Sequence, residues 1–164
     1  ENASNIYATL MTALNSGDHA VVTQKAGMLI ADYSGTPYAA LGALAVARIR
    51  LEADELEAAR AQLRWVLDNA DADAIRETAH LRLVRVLIAE GRYEEAEALI
   101  NQAGASEAYA PLYRELHGDI HLARGDLASA RAEMEANLAE IKSILDSAQH
   151  LIDGPNVLEF QTLE

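Results

Sequence analysis

Ala53-Asp54-Glu55-Leu56-Glu57-Ala58-Ala59, Glu90-Gly91-Arg92-Tyr93-Glu94-Glu95-Ala96 and Arg124-Gly125-Asp126-Leu127-Ala128-Ser129-Ala130 are three passes over one pattern. Leu56, Tyr93 and Leu127 fall in register, 37 and then 34 residues apart. Each is followed three positions on by Ala59, Ala96 or Ala130, and four further on by Leu63, Ile100 or Met134. Spacings of three and four place these residues on one face of a helix. The invariant small member has a physical reason: two helices approach closely only where a small side chain lets one backbone near the other, and the large residue before it fills the groove beside it.

The pattern resembles the second-helix half of a tetratricopeptide repeat. The first-helix half should carry a small residue seven positions before the inter-helix turn; Ala47 and Gly118 meet that requirement and Val84 does not. A fainter copy begins at Ser16-Gly17-Asp18-His19, 37 residues before the Leu56 turn, with Val22 and Ala26 at the later positions. The fold expected is all-α, a tetratricopeptide-like helical-repeat solenoid of about eight antiparallel helices near 4–16, 18–33, 37–52, 55–69, 73–90, 92–103, 110–123 and 126–150. Repeats are placed near 3–33, 37–69, 73–103 and 110–138, with a capping extension over 139–152, making one domain over 1–152 and a tail over 153–164. Thr36-Pro37 reads as an N-cap with Pro at the first helical position, Asp71 and Asp73 put acids at a helix start, and Pro111 opens another. Gly17, Gly91 and Gly125 sit at the tight turns. In the last helix Leu138, Ile141, Leu145, Ala148 and Ile152 form an apolar stripe expected to fold back on the preceding pair and hide its open end. Val157, Leu158, Phe160 and Leu163 make the tail apolar.

Composition agrees. Of 164 residues 51% are apolar but only 5% aromatic, with 9 Gly and 3 Pro, which excludes a sandwich or barrel. Thirteen basic residues against 26 acidic ones give a net charge of -13, repelled by phosphate backbones, so nucleic acid is excluded as a partner. The absence of Cys removes thiol catalysis, iron–sulfur clusters and Cys-ligated zinc. No run approaches the roughly 18 apolar residues of a membrane helix.

In this repeat type the fifth and ninth positions of each first helix face a concave groove: Tyr7 and Met11, Leu44 and Arg48, Leu81 and Arg85, Glu115 and Asp119. The groove is expected to grade from apolar through basic to acidic. Arg48 and Arg85, with Arg82 one turn away from Arg85, are bidentate donors suited to a peptide carboxylate or backbone oxygens. The competing reading pairs these arginines with the chain's own surplus acids. The Lys–Asn clamp with which co-chaperone repeats grip acidic tails is missing at these positions. His117 and His121, at i and i+4, share a helix face and suit a transition metal in spacing, yet the sequence supplies neither the glutamate of a zinc protease nor a third ligand; both read as packed residues, and no metal or cofactor is expected. Glu94, Glu95 and Glu97 read as solvated charge at a helix start rather than acid–base machinery. Trp65, Tyr109 and Tyr113 read as packing. No nucleophile elbow, Walker loop or dinucleotide fingerprint occurs, and no enzymatic activity is expected.

The block Tyr38-Ala39-Ala40-Leu41 through Glu55-Leu56-Glu57-Ala58-Ala59-Arg60-Ala61-Gln62-Leu63, continued by His80-Leu81-Arg82-Leu83-Val84-Arg85-Val86, resembles the tetratricopeptide-like ancillary subunit of the bacterial Sec translocon. The resemblance covers most of residues 1–140, and Gly154 to Glu164 follows the family's tail only loosely. It implies a non-enzymatic protein-interaction scaffold at the periplasmic face of the inner membrane, anchored by a single helix preceding Glu1. The implied partners are the translocon, a membrane-anchored periplasmic chaperone of the prolyl-isomerase type, and exported client chains. The alternative from the residues alone is a cytoplasmic tetratricopeptide adaptor or regulator that binds helical or extended peptides.

Overall fold

Three of the helices start at a side chain that accepts from a free amide of their first turn. In the computed structural model, which describes residues 2–102 and 109–153 with the side chains of 150–153 excluded, eight helices occur among the described residues and no strand. They are α1 (Ala3–Ser16), α2 (His19–Asp32), α3 (Pro37–Glu52), α4 (Leu56–Asn69), α5 (Asp73–Ala89), α6 (Tyr93–Gln102), α7 (Ala110–Ala123) and α8 (Leu127–Asp153). The Asn2 carboxamide oxygen accepts from the Asn5 amide at 3.0 Å, Asp18 from Val21 at 3.1 Å and Asp126 from Ser129 at 3.1 Å. Hydrogen bonding to Ser129 holds the Asp126 carboxyl below its ordinary pKa. Thr36 departs from expectation. It stands at the N-cap of α3, but its hydroxyl donates to the Tyr33 carbonyl at 2.8 Å and leaves the cap to Pro37.

The repeat reappears as a shared turn. The amide of Asp18 bonds the Ala13 carbonyl at 2.9 Å, Glu55 bonds Arg50 at 2.8 Å, Arg92 bonds Leu87 at 2.8 Å and Asp126 bonds His121 at 2.8 Å. Each bond runs back five residues and closes its helix as a Schellman motif, with the residue before the donor in the left-handed region. Gly17, Gly91 and Gly125 take φ of 74°, 72° and 80° there, and Asp54 occupies the equivalent place at 59°. A Cβ in this region costs roughly 1–2 kcal/mol for most residues and less for Asp. Asp54→Gly should therefore stabilise the domain by up to about 1 kcal/mol, and Gly91→Ala should destabilise it by about 1 kcal/mol or more. Urea unfolding reads both; an Asp54→Gly variant less stable than the parent would show that the Asp side chain stabilises the turn.

The backbone divides into two units, Glu1–Gly104 and Ala105–Glu164. In the first, α1 packs on α2, α3 on α4 and α5 on α6, α2 and α4 each pass to the next pair, and α1, α3 and α5 lie side by side. Ala47, Ala59, Ala79 and Ala96 are fully buried, and so are Ile6, Leu10, Leu29, Leu63 and Leu87. A large apolar side chain removed from water in this way contributes about 1.5–3 kcal/mol. Val84, which departs from the small residue of the pattern, is also fully buried. Trp65 packs against the core of α1 to α3.

The second unit is the pair α7 and α8. Tyr113, Leu116, Ile120 and Ala130 are buried in it. The α8 stripe expected to close the array lies open: Leu138 is 52% exposed, Ile141 42% and Leu145 62%. So does Met134, the counterpart of the buried Leu63 and Ile100. Within this unit α7 sits on another face of α8, where Ala130 and Glu133 lie beside Gly118 and the Asn137 amide donates to the Pro111 carbonyl at 3.1 Å. The tail, from residue 154 on, lies outside the described residues.

Candidate functional site

The side-by-side α1, α3 and α5 leave a cavity of about 440 Å³ between them. Tyr7, Met11 and Leu14 enter it from α1, Leu41, Leu44, Ala45 and Arg48 from α3, and Ala74, Ile75, Thr78 and Arg82 from α5. Five of the residues expected from the sequence are thereby brought together: Tyr7, Met11, Leu44, Arg48 and Arg82. Leu81 is buried and Arg85 is exposed, and neither lines the cavity. Glu115 and Asp119 stand on α7, in the other unit.

The register on α5 explains the difference. Thr78 and Arg82 line the wall where the pattern placed Leu81 and Arg85, because Leu81 joins Leu83, Val84, Val86 and Leu87 in the interior. A helix buried on two sides gives no single apolar stripe from which its open face can be told. Leu14, Leu41, Ala45, Ala74, Ile75 and Thr78 were missed for a related reason: their types are unremarkable, and only the lateral contact of first helix with first helix selects them. Nearby, Gly35, Thr36, Pro37, Ala40 and the 69–72 connection enclose a second depression of about 270 Å³ that shares Ile75.

One end of the cavity is aromatic. The Tyr7 and Tyr38 rings lie 5.3 Å apart at 39°, within the range of favourable aromatic contact. Burial, and then Tyr38, pushes the Tyr7 phenol above its ordinary pKa, so it stays protonated as a donor.

The basic side is defined by what its neighbours do. Elsewhere in the first unit the arginines are taken up by carboxylates: Arg50 meets Glu55 at 2.5 Å, Arg64 meets Glu95 at 3.5 Å, Arg76 pairs with Asp73, and Arg60 meets Glu90 at 3.1 Å with side chains only 18% and 14% exposed. Arg48 follows the competing reading, its Nε donating to Glu52 at 2.8 Å in an exposed pair of the kind that contributes about 0–1 kcal/mol. Arg82 is the exception. It is half-buried in the cavity wall and meets no carboxylate among the described residues. No carboxylate or imidazole is found among the described lining residues. The site therefore offers apolar surface, a phenol, a hydroxyl and two guanidinium groups, that of Arg48 already paired with Glu52, a set suited to holding a chain segment.

Two of the other candidates meet neighbouring groups. Glu95 receives Arg92 at 2.7 Å, and His121 faces Asp126 at 3.7 Å beside the α8 cap. No group of three His, Asp or Glu side chains gathers in metal-binding geometry among the described residues, and no described helix is long and apolar enough to cross a membrane.

A family profile described as a tetratricopeptide repeat-like domain matches residues 1–153. Among curated proteins, the chain is 26% identical over 125 residues to the ancillary SecYEG translocon subunit of Neisseria gonorrhoeae (strain ATCC 700825 / FA 1090). That alignment covers 76% of this chain and 59% of the relative, so the chain spans less than two thirds of that relative's length. No solved structure matches the chain.

Proposed function

Because the chain belongs to the tetratricopeptide repeat-like family, we propose that it is a non-enzymatic protein-interaction domain serving as an ancillary part of the Sec translocon at the periplasmic face of the inner membrane. The observation that carries the reading is the cavity between α1, α3 and α5, with an Arg82 that meets no carboxylate among the described residues, in a chain of net charge -13 whose other described arginines are largely occupied. The likeness to a translocon subunit supplies the setting.

The cavity binds by two complementary means. An apolar side chain of the partner enters between Tyr7, Met11 and Leu44, exchanging water for packing. An acidic group or chain carbonyl then meets Arg82 and, after exchange with Glu52, Arg48. The surrounding acidic surface disfavours acidic proteins that lack the apolar anchor, so selection requires both features at once. Partners on this reading are SecYEG, a membrane-anchored chaperone of the prolyl-isomerase type, and exported chains leaving the channel.

Affinity purification of the tagged full-length protein from mildly solubilised membranes tests the proposal. SecY and a periplasmic chaperone should be enriched over a tagged control membrane protein. Recovery of cytosolic proteins alone, without SecY, would overturn it in favour of a cytoplasmic adaptor.

A further inference from the structure

Helix α8 turns the wrong face to its neighbour. It meets α7 through Ala130, Glu133, Asn137 and Glu140, the last paired with Arg114, while Leu127, Met134, Leu138, Ile141, Ile144 and Leu145 stay exposed. Leu127, Met134, Leu138, Ile141, Leu145 and Ala148 follow a strict alternation of three- and four-residue steps, interrupted once at Arg131. A mean step of 3.5 is the signature of a coiled-coil seam, which requires a second helix with the same repeat.

We propose that this seam joins two copies of the chain through an antiparallel pairing of their α8 helices. Charge fixes both the occupant and the direction. With Leu138 set against Ile141 of the second copy, Met134 meets Leu145, and Arg131 meets the small Ala148, which leaves room for its stem. In the same register Glu135 lies beside Lys142 of the second copy, twice per pair by symmetry. Both residues are exposed on α8, and Glu135 engages Arg131 one turn back, at 2.7 Å. A parallel pairing loses these advantages. It sets Arg131 against Arg131 and places Asn137 and Ile144, which carry no charge, opposite Lys142 and Gln149.

Sedimentation equilibrium of the whole chain should give a mass twice the 17.7 kDa of one copy. Glu135→Lys, a surface change that leaves helicity intact, should weaken the dimer about tenfold, since both symmetric pairs become like-charge contacts. Glu135→Lys with Lys142→Glu should restore it. Leu138→Glu with Ile141→Glu should give a monomer of unchanged circular dichroism. A parent chain that stays monomeric up to about 100 µM, well inside the µM–mM range in which exposed apolar surface associates, would overturn the proposal and leave the seam to the chain's own first unit or to a foreign helix. A dimer indifferent to Glu135→Lys would overturn it equally.

Discussion

Replacing Gly42 by Leu should lower the free energy of unfolding by about 3 kcal/mol, at the upper end of what overpacking costs. A Cβ built on Gly42 meets the Ala26 Cα, the Ala26 Cβ and a Leu29 methyl all at 3.4 Å, so Ala just fits and nothing larger does. The expected fall in melting temperature is roughly 6–12 °C for a chain of this size. Trp65, packed on the core of α1 to α3, reports the change by fluorescence. Gly118 is the control. Its added Cβ would meet Glu133 at 3.7 Å and Ala130 at 3.8 Å, ordinary contacts, so Gly118→Ala should stabilise by about 0.5–1 kcal/mol through helix propensity. Equal destabilisation at both positions would show that the α2–α3 approach has been misplaced.

On the function proposed, Arg82→Glu should weaken binding of SecYEG, or of the chaperone recovered with it, about 30-fold, corresponding to the roughly 2 kcal/mol of a hot-spot residue. The side chain is half-buried and aligned with the apolar wall, so reversal places a carboxylate where the partner's acidic group or carbonyl would lie. Arg82→Lys should retain most of the affinity. Arg85→Glu should have a small effect, because Arg85 lies outside the cavity. The readout is binding by immobilised domain to detergent-solubilised complex, with circular dichroism as the check on folding. If Arg82→Glu binds as the parent does and Glu57→Lys on the outer helix α4 fails, the interface is the outer layer.

The helices were legible because three signals coincided: the repeated Leu or Tyr with its Ala, glycine at three turns, and proline at two helix starts. Observed boundaries differ from those expected by three residues at most, the largest difference being at the end of α8. The turn at Asp54 was placed by the repeat, but its left-handed backbone was not legible, since Asp does not announce that conformation as glycine does. Gly42 was passed over because the small residue sought in that helix was Ala47. The site was half legible. On α1 the apolar and open faces separate clearly, whereas α3 and α5 are each buried on more than one side; on α3 the expected Leu44 and Arg48 still line the cavity, but on α5 Leu81, Leu83 and Val84 are buried and the cavity takes Thr78 and Arg82 instead. On α8 the stripe was visible, but its orientation was not, because polar Asn137 and Glu140 rather than leucines make the contact with α7.

Among the described residues of the first unit, each helix touches only helices one or two places from it in sequence. No contact waits for a distant part of the chain, so the loops closed during folding are short and their entropic cost is small. Structure can then grow by addition from the amino terminus: α1 and α2 need only α3 to cover them, and each later helix finds its docking face already assembled. For a chain delivered end first through a channel, this removes the interval in which a half-emerged core stands exposed. On the function proposed, such a domain would complete its own core while its last residues were still in transit.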